Sequence, residues 1–279
     1  MSQGNSIAKI DPMSATVLQT VYVGPSPSRV ALSDDGNTLW VVLSGSSSVR
    51  RVDLTTFTAG STIALRPGTG ILGIQVLAGT EDSVAVTSSE GYPYGYSVAI
   101  YDNGAPRPYG ADLPYQATVL ASASAALLFE APNGYPYYAY SICADSNGAF
   151  LRSFAGLVPY SGTPAIDRGV LYNTDGSVYD AESGTHLHDI AVPVGGYTVV
   201  TADENDVYYL TSTYESSSIY WIQVTGFDRA TYAATTTDLL QTNAIAYTTF
   251  RRWGRYGLAY ITSNPSIEIA RSTIIPDMP

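Results

Sequence analysis

The stretch "SRVALSDDGNTLWVVLSGSSSVRRVDLTTFTAGSTIAL", Ser28 to Leu65, sets how the rest of the chain is read. It holds four short runs rich in Val, Leu, Ile and Thr. Polar, Gly-containing turns separate them, which predicts four strands at Arg29–Leu32, Thr38–Leu43, Ser48–Val52 and Ala59–Leu65. "DDGN" suits the first turn, because Gly takes positive φ freely and Asp bonds to nearby backbone. Helical periodicity is nearly absent elsewhere, so the whole chain reads as strands and tight turns.

The unit recurs loosely along the 279 residues. Its third strand ends each time in an apolar residue or Ala followed by Asp. The strings are "KID" at Asp11, "RVD" at Asp53, "IYD" at Asp102, "CAD" at Asp145, "VYD" at Asp180 and "GFD" at Asp228, spaced by 42, 49, 43, 35 and 48 residues. A four-stranded repeat of roughly 40–45 residues is the mark of a β-propeller blade. Repetition gives each Asp a structural task, accepting backbone N–H groups in the turn that follows. The expected fold is a single all-β propeller domain over residues 1–279, with six blades, seven being the alternative. Residues 5–24 start with a third and a fourth strand. Val17–Val23 is expected to complete the C-terminal blade at 243–275 and to close the ring, which removes an exposed edge.

"GPSPSRVALSDDGNTLWVVLSGSSSVRRVDLTT" resembles the YVTN-type repeats of bacterial surface propellers. "SVAIYDNG" and "RRWGRYGLAYITS" resemble a related group of propeller domains in large secreted bacterial proteins. The resemblance is strongest at residues 5–55 and 250–262. It implies an extracellular or cell-surface propeller and carries no catalytic residue across.

Composition narrows the function. Charged residues are only 13%, with a net charge of -11 and one lysine, Lys9, while tyrosine reaches 23. A strongly acidic chain does not suit nucleic acid, which needs clustered Lys and Arg. Arg251, Arg252 and Arg255, around Trp253, read as a hairpin on a strand edge. No apolar run is long enough for a membrane helix, so no membrane insertion is expected. "MSQGNSIAKIDP" lacks the apolar core of a signal peptide. A surface location therefore implies a leader that this sequence does not contain. Cys143 is the lone cysteine and forms no intramolecular disulfide.

The tyrosines are patterned. "EGYPYGYS" and "NGYPYYAYS" fall between the second and third strands of neighbouring repeats. "STYESSS" falls at the same place three repeats on. The connections between repeats, "DLPYQ", "LVPYSG" and "VPVGGYT", leave from the same end, because strands in a blade alternate in direction. Tyr92, Tyr94, Tyr96, Tyr115, Tyr135, Tyr137, Tyr138, Tyr160, Tyr197 and Tyr214 are thus expected on one face. Their rings either cap the blades or form a contact surface. Tyr and Pro provide rigid, amphipathic contact area at low entropic cost. The reading adopted is a non-enzymatic binding or structural module. Its partner is a glycan or a protein, including another copy of itself.

Chemistry leaves few marks. His186 and His188 in "THLHD" share one side of a strand, with Asp189 expected on the other, and read as outer-strand residues. "RPGTG" at 66–70 lacks the lysine of a phosphate loop. Asp34, Asp35, Glu81, Asp82, Asp203, Glu204 and Asp206 cluster in turns at the face opposite the tyrosines. They read as solubilising groups, with Ca²⁺ the ligand they would take if any. No other cofactor is expected. The competing class is a lactonase-like hydrolase or a lyase working with carboxylates at the central channel, which leave no spacing signature across blades.

Overall fold

The computed structural model describes residues 4–89, 95–114, 116–132, 140–154, 164–193, 197–203, 205–216, 219–242, 246–253, 257–262 and 267–271. Among these there are only strands and turns, and no helix. β1 (Ser6–Asp11) and β2 (Thr16–Tyr22) form a two-stranded sheet. The quoted stretch forms the next sheet, of β3 (Pro27–Leu32), β4 (Thr38–Leu43), β5 (Ser48–Asp53) and β6 (Thr58–Ala64). In the second large sheet, β7 (Gly70–Val76), β8 (Ser83–Ser89) and β9 (Tyr96–Asp102) are joined by β10 (Ala105–Pro106) and β11 (Ala111–Leu113), both paired to β9. The third holds β12 (Ala117–Ser124), β13 (Leu127–Pro132), β14 (Tyr140–Asp145) and β15 (Gly148–Phe154). The fourth holds β16 (Ala165–Asp167), β17 (Val170–Tyr172), β18 (Ser177–Asp180) and β19 (His186–Asp189). The fifth holds β20 (Tyr197–Ala202), β21 (Asp206–Ser216), β22 (Ile219–Asp228) and β23 (Ala234–Thr242). The sixth, of β24 (Ala246–Trp253), β25 (Gly257–Thr262) and β26 (Ile267–Arg271), has three strands. Every ladder between these strands is antiparallel, and strands pair in chain order except β11, which skips β10 to pair with β9.

All six repeat aspartates end a strand: β1, β5, β9, β14, β18 and β22. Five of them do the expected work. Asp53 Oδ1 accepts the amides of Thr55 and Thr56 at 2.8 and 2.9 Å. Asp145 binds the amides of Asn147 and Gly148, Asp180 that of Ser183, and Asp228 those of Ala230 and Thr231. Asp11 accepts Met13 N–H. Asp102 departs: Arg107 grips it with two nitrogens, at 2.7 and 2.8 Å.

These bonds favour the ionised form. The Thr55 hydroxyl, followed by the Thr56 amide, brings Asp53 down to about 2. Its contribution is complete above the ordinary carboxyl value and fades as the pH falls through about 2. Asp53→Asn is therefore expected to lower the melting temperature at neutral pH, with the difference from wild type closing as the pH falls from 4 to 2. An unaltered acid limb would remove the turn from the account.

Sheets stack through apolar faces. Trp40, Val42, Val49 and Ile63 of the first meet Ile74, Val84 and Val86 of the second. Ile100 of the second meets Leu128 and Ile142 of the third. Tyr172 and Val178 of the fourth meet Val200 and Tyr209 of the fifth. Leu210 and Ile222 of the fifth meet Leu258 and Tyr260 of the sixth. Gly148 lets the second and third sheets touch at backbone level. It bridges Tyr109, and a Cβ there would stand 1.8 Å from the Tyr109 carbonyl oxygen.

The N-terminal segment differs from its expected place. β2 pairs with β1, and among the described residues it joins no ladder of the sixth sheet. The Asp11 turn ties the two strands into a hairpin that satisfies β2 locally. That hairpin packs Ile7, Val21 and Val23 on Val41, Leu43 and Val52 of the first sheet. This is the face of the first sheet turned away from the second.

Candidate functional site

Two regions compete as sites: the tyrosine-bearing end of the sheets and the cavity between their first strands.

Antiparallel succession puts the second-to-third turn and the exit of the fourth strand at one end of each sheet. The Gly-Tyr-Pro-Tyr segments do join β8 to β9 and β13 to β14, and the segments around residues 115 and 160 lead into β12 and β16. Tyr92, Tyr94, Tyr115, Tyr135, Tyr137, Tyr138 and Tyr160 lie outside the described residues. Tyr96 starts β9 and is half-buried, packing on the core between the second and third sheets. Tyr197 starts β20. Tyr214 is not in a loop: it lies on β21, which runs on for eleven residues. The extra length of β21 and β22 carries the aromatic character out on a hairpin. Tyr214 is 64% exposed, and its ring lies 5.5 Å from that of its ladder partner Tyr220, tilted by 58°.

Aromatic residues are not confined to this end. Tyr109, 61% exposed, packs against Phe150 at 6.3 Å beside the turn between β14 and β15, at the other end of the third sheet.

The acidic turns at that second end are engaged. Asp35 accepts Ser33 Oγ, the Asn37 amide and Asn37 Nδ2. Asp34 receives the Gly79 amide from the second sheet at 2.7 Å. Asp82 pairs with Arg51 at 2.8 Å, again across sheets. Asp203 accepts the amides of Asn205 and Asp206. Among the described residues no three His, Cys, Asp or Glu side chains come together in a metal-holding group.

The histidines sit on an exposed outer strand. His186 Nε2 lies 2.9 Å from Asp189 Oδ1, although simple alternation would send Asp189 to the opposite side. The reason is a bulge: Val178 pairs with His188 and Tyr179 with His186, so Leu187 is skipped. His188 stacks on Tyr232 at 4.5 Å.

A cavity of about 840 Å³ is lined by the first strands β3, β7, β12, β16 and β20, by Arg251 of β24 and by Ile261 of β25. Its described lining carries one carboxylate, Asp167, which Arg229 holds. Arg229 also donates to Tyr172 Oη and to the Asp203 carbonyl, fastening the fourth sheet to the fifth. Arg29 and Arg251 line the same space. Arg251 lies on β24, an edge strand that pairs with β25 as a hairpin, and that edge faces the cavity. Arg251 and Arg252 belong to β24, the first strand of the sixth sheet. Solvent reaches Arg251, yet surrounding protein depresses its pKa through burial.

No family model matches the chain, and no curated protein does. Solved structures match along most of its length. A functionally unknown protein from Desulfotomaculum acetoxidans shares 12% identity at a TM-score of 0.65, covering 99% of this chain and 95% of that one. The β-propeller domain of Cps50 (Swd1) from Myceliophteria thermophila shares 12% at 0.63, covering 96% and 90%. Hsv2 from Kluyveromyces lactis shares 13% at 0.56, covering 87% and 72%. Identities this low carry the fold and nothing finer. Together with the succession of four-stranded antiparallel sheets around one cavity, they show that the chain has a β-propeller fold.

Proposed function

We propose that the protein is a non-enzymatic binding or structural module of the extracellular or cell-surface space, with six sheets arranged as blades around the channel. Its tyrosine-bearing end contacts a glycan or a protein. The observation that carries this is the Tyr214–Tyr220 pair. Two aromatic rings stand on a hairpin longer than the fold requires, with one of them mostly in solvent. A core-facing ring would be covered; Tyr208 and Tyr209 on the same strand are. Low charge density suits a neutral partner, and exposed tyrosine faces stack on sugar rings or pack on protein. Loops and hairpin tips on a rigid scaffold are where recognition commonly sits.

The test is Tyr214→Ala, alongside Tyr94→Ala and Tyr137→Ala. Tyr214→Ala is expected to change unfolding stability by no more than about 0.5 kcal/mol. It is expected to weaken retention on neutral polysaccharide or on a protein ligand about tenfold. A stability loss without a binding change would make the ring a packing residue and refute the reading.

A further inference from the structure

The hairpin of β1 and β2 is half of a repeat. Its turn shares two hydrogen bonds at matching positions with the turn between β5 and β6. Asp11 Oδ1 accepts Met13 N–H at 2.9 Å where Asp53 Oδ1 accepts Thr55 N–H at 2.8 Å. Ser14 Oγ meets Thr16 Oγ1 at 2.7 Å where Thr56 Oγ1 meets Thr58 Oγ1 at 2.8 Å. β1 and β2 are therefore a third and a fourth strand. They stack on the first sheet as a preceding blade would, against the face that the second sheet leaves free.

A whole blade has two more strands, nearer the channel. Among the described residues no strand takes the positions they would occupy. The inner edge of β1 has no ladder partner among the described residues. Beside it lies a cavity of about 550 Å³, lined by Ile7, Ala8 and Lys9 of β1 and by Val30 and Leu39 of the first sheet. Val30 and Leu32 are 58% and 49% exposed on what is otherwise an inner strand. Across the gap, the sixth sheet turns Leu258 and Tyr260 to the fifth. Its other face shows Ile261 and its ladder partner Ile267, 42% and 55% exposed. Ile261 lines the channel together with Val30 and Leu32. Two apolar sheet faces and a free strand edge thus border one slot.

Charge narrows the occupant. In a chain of net charge -11, the charged groups on these linings are Lys9, Arg29 and Arg251, of which Arg251 already donates to Thr201, with Asp167 held by Arg229. Arg29 has no side-chain partner among the described residues. We propose that the slot takes up a β-hairpin supplied in trans, apolar at alternate positions and acidic in its polar ones. Its outer strand pairs with β1, and its inner strand lies between β3 and β24. Strand addition gives affinity through backbone bonds and selectivity through alternate side-chain pockets. It also removes an exposed edge. This site is separate from the tyrosine-bearing end.

A synthetic peptide of residues 28–43 is the probe. It carries Arg29→Glu, covers all but Pro27 of the first two strands of the chain's own first sheet, and its charged groups are then all acidic. Added to the full chain at tenfold over its Kd, it is expected to raise the melting temperature by about 3 °C. Val30→Glu and Ile261→Glu, both at exposed positions, are expected to weaken binding at least tenfold. Leu239→Glu, on the exposed face of an outer strand, and Tyr214→Ala are expected to leave it unchanged. No shift with the wild-type chain, or an equal shift from a scrambled peptide, would overturn the proposal. A dimer in light scattering that Val30→Glu dissociates would also overturn it, because a second copy would then cover the slot.

Discussion

Glu130→Met is expected to stabilise the protein, and the gain is expected to grow between pH 5 and pH 8. Glu130 lies on β13 with no exposed surface, and neither carboxylate oxygen has a hydrogen-bond partner among the described residues. Removing an unpaired carboxylate from water is costly, so burial raises its pKa to about 8. The unfolded chain ionises this group near the ordinary carboxyl value, while the folded chain keeps it protonated. The folded state then binds more protons, so stability falls as the pH rises through that window and levels off above it. Every tenfold gain in proton affinity on folding is worth about 1.4 kcal/mol, which makes the full penalty roughly 3–5 kcal/mol at pH 9. Methionine fills similar volume with no group to desolvate. Glu130→Gln separates charge from polarity: it is expected to abolish the pH dependence while keeping the cost of a buried amide. Denaturant titrations at pH 5, 7 and 9 read both variants. A wild-type stability that is flat across that range would show the carboxyl to be solvated or paired.

Glu130 also shows where the sequence stops being legible. The two Gly-Tyr-Pro-Tyr segments align at an offset of 43 residues, which sets Glu130 against Thr87, 1% exposed on β8. Both polar side chains are buried just before the same connection. In the sequence, a Glu inside "LLFEAP" looks like an outward position of an alternating strand, and nothing local marks it otherwise. The aspartates behave in the opposite way. Their task is completed within three residues, by amides of the next turn, so a local string is enough to find them. Asp102 escapes because its partner, Arg107, lies further on and reaches past that turn. Strand ends are similarly readable wherever a turn enforces them: β4 spans Thr38–Leu43, as its flanking turns predict.

Pairing between distant segments is a different matter. β2, TVLQTVY, has no strict alternation that would select β1 over β26, and sequence cannot rank the two edges. The closer partner prevails because closing a short loop costs less chain entropy than joining the two ends of 279 residues. The channel-facing place of Arg251 is hidden for a related reason. Which strand of a blade lies innermost is decided by stacking between sheets, and a run of arginines beside Trp253 looks like surface wherever it falls. At His186 and Asp189 a single bulged residue reverses the alternation that the sequence implies.

The wedge between the first two sheets is where a single side chain is expected to matter most. Trp40 on β4 is fully buried, and it packs with Val42, Val49 and Ile63 of its own sheet and Ile74, Val84 and Val86 of the next. Its indole Nε1–H reaches the Glu81 carbonyl, in the turn ahead of β8, at 3.4 Å. One residue thus fills the space between two blades and pins the turn of the second. Truncation to Ala removes the largest side chain of this cluster and leaves a cavity that two rigid sheets close poorly, which is expected to cost about 3–5 kcal/mol. Trp40→Phe keeps most of the apolar volume and loses the Glu81 contact, so its cost is expected near 1–2 kcal/mol. Guanidinium denaturation measures both. The order matters more than the sizes, because it separates two accounts of how blades hold together. A loss for Trp40→Phe as large as that for Trp40→Ala would mean that the long 3.4 Å contact to the turn, and not the apolar wedge, joins the first sheet to the second. A small loss for both would mean that neighbouring sheets can slide to refill the space. Adhesion between blades would then be spread over the aliphatic residues of each face and not concentrated in one ring.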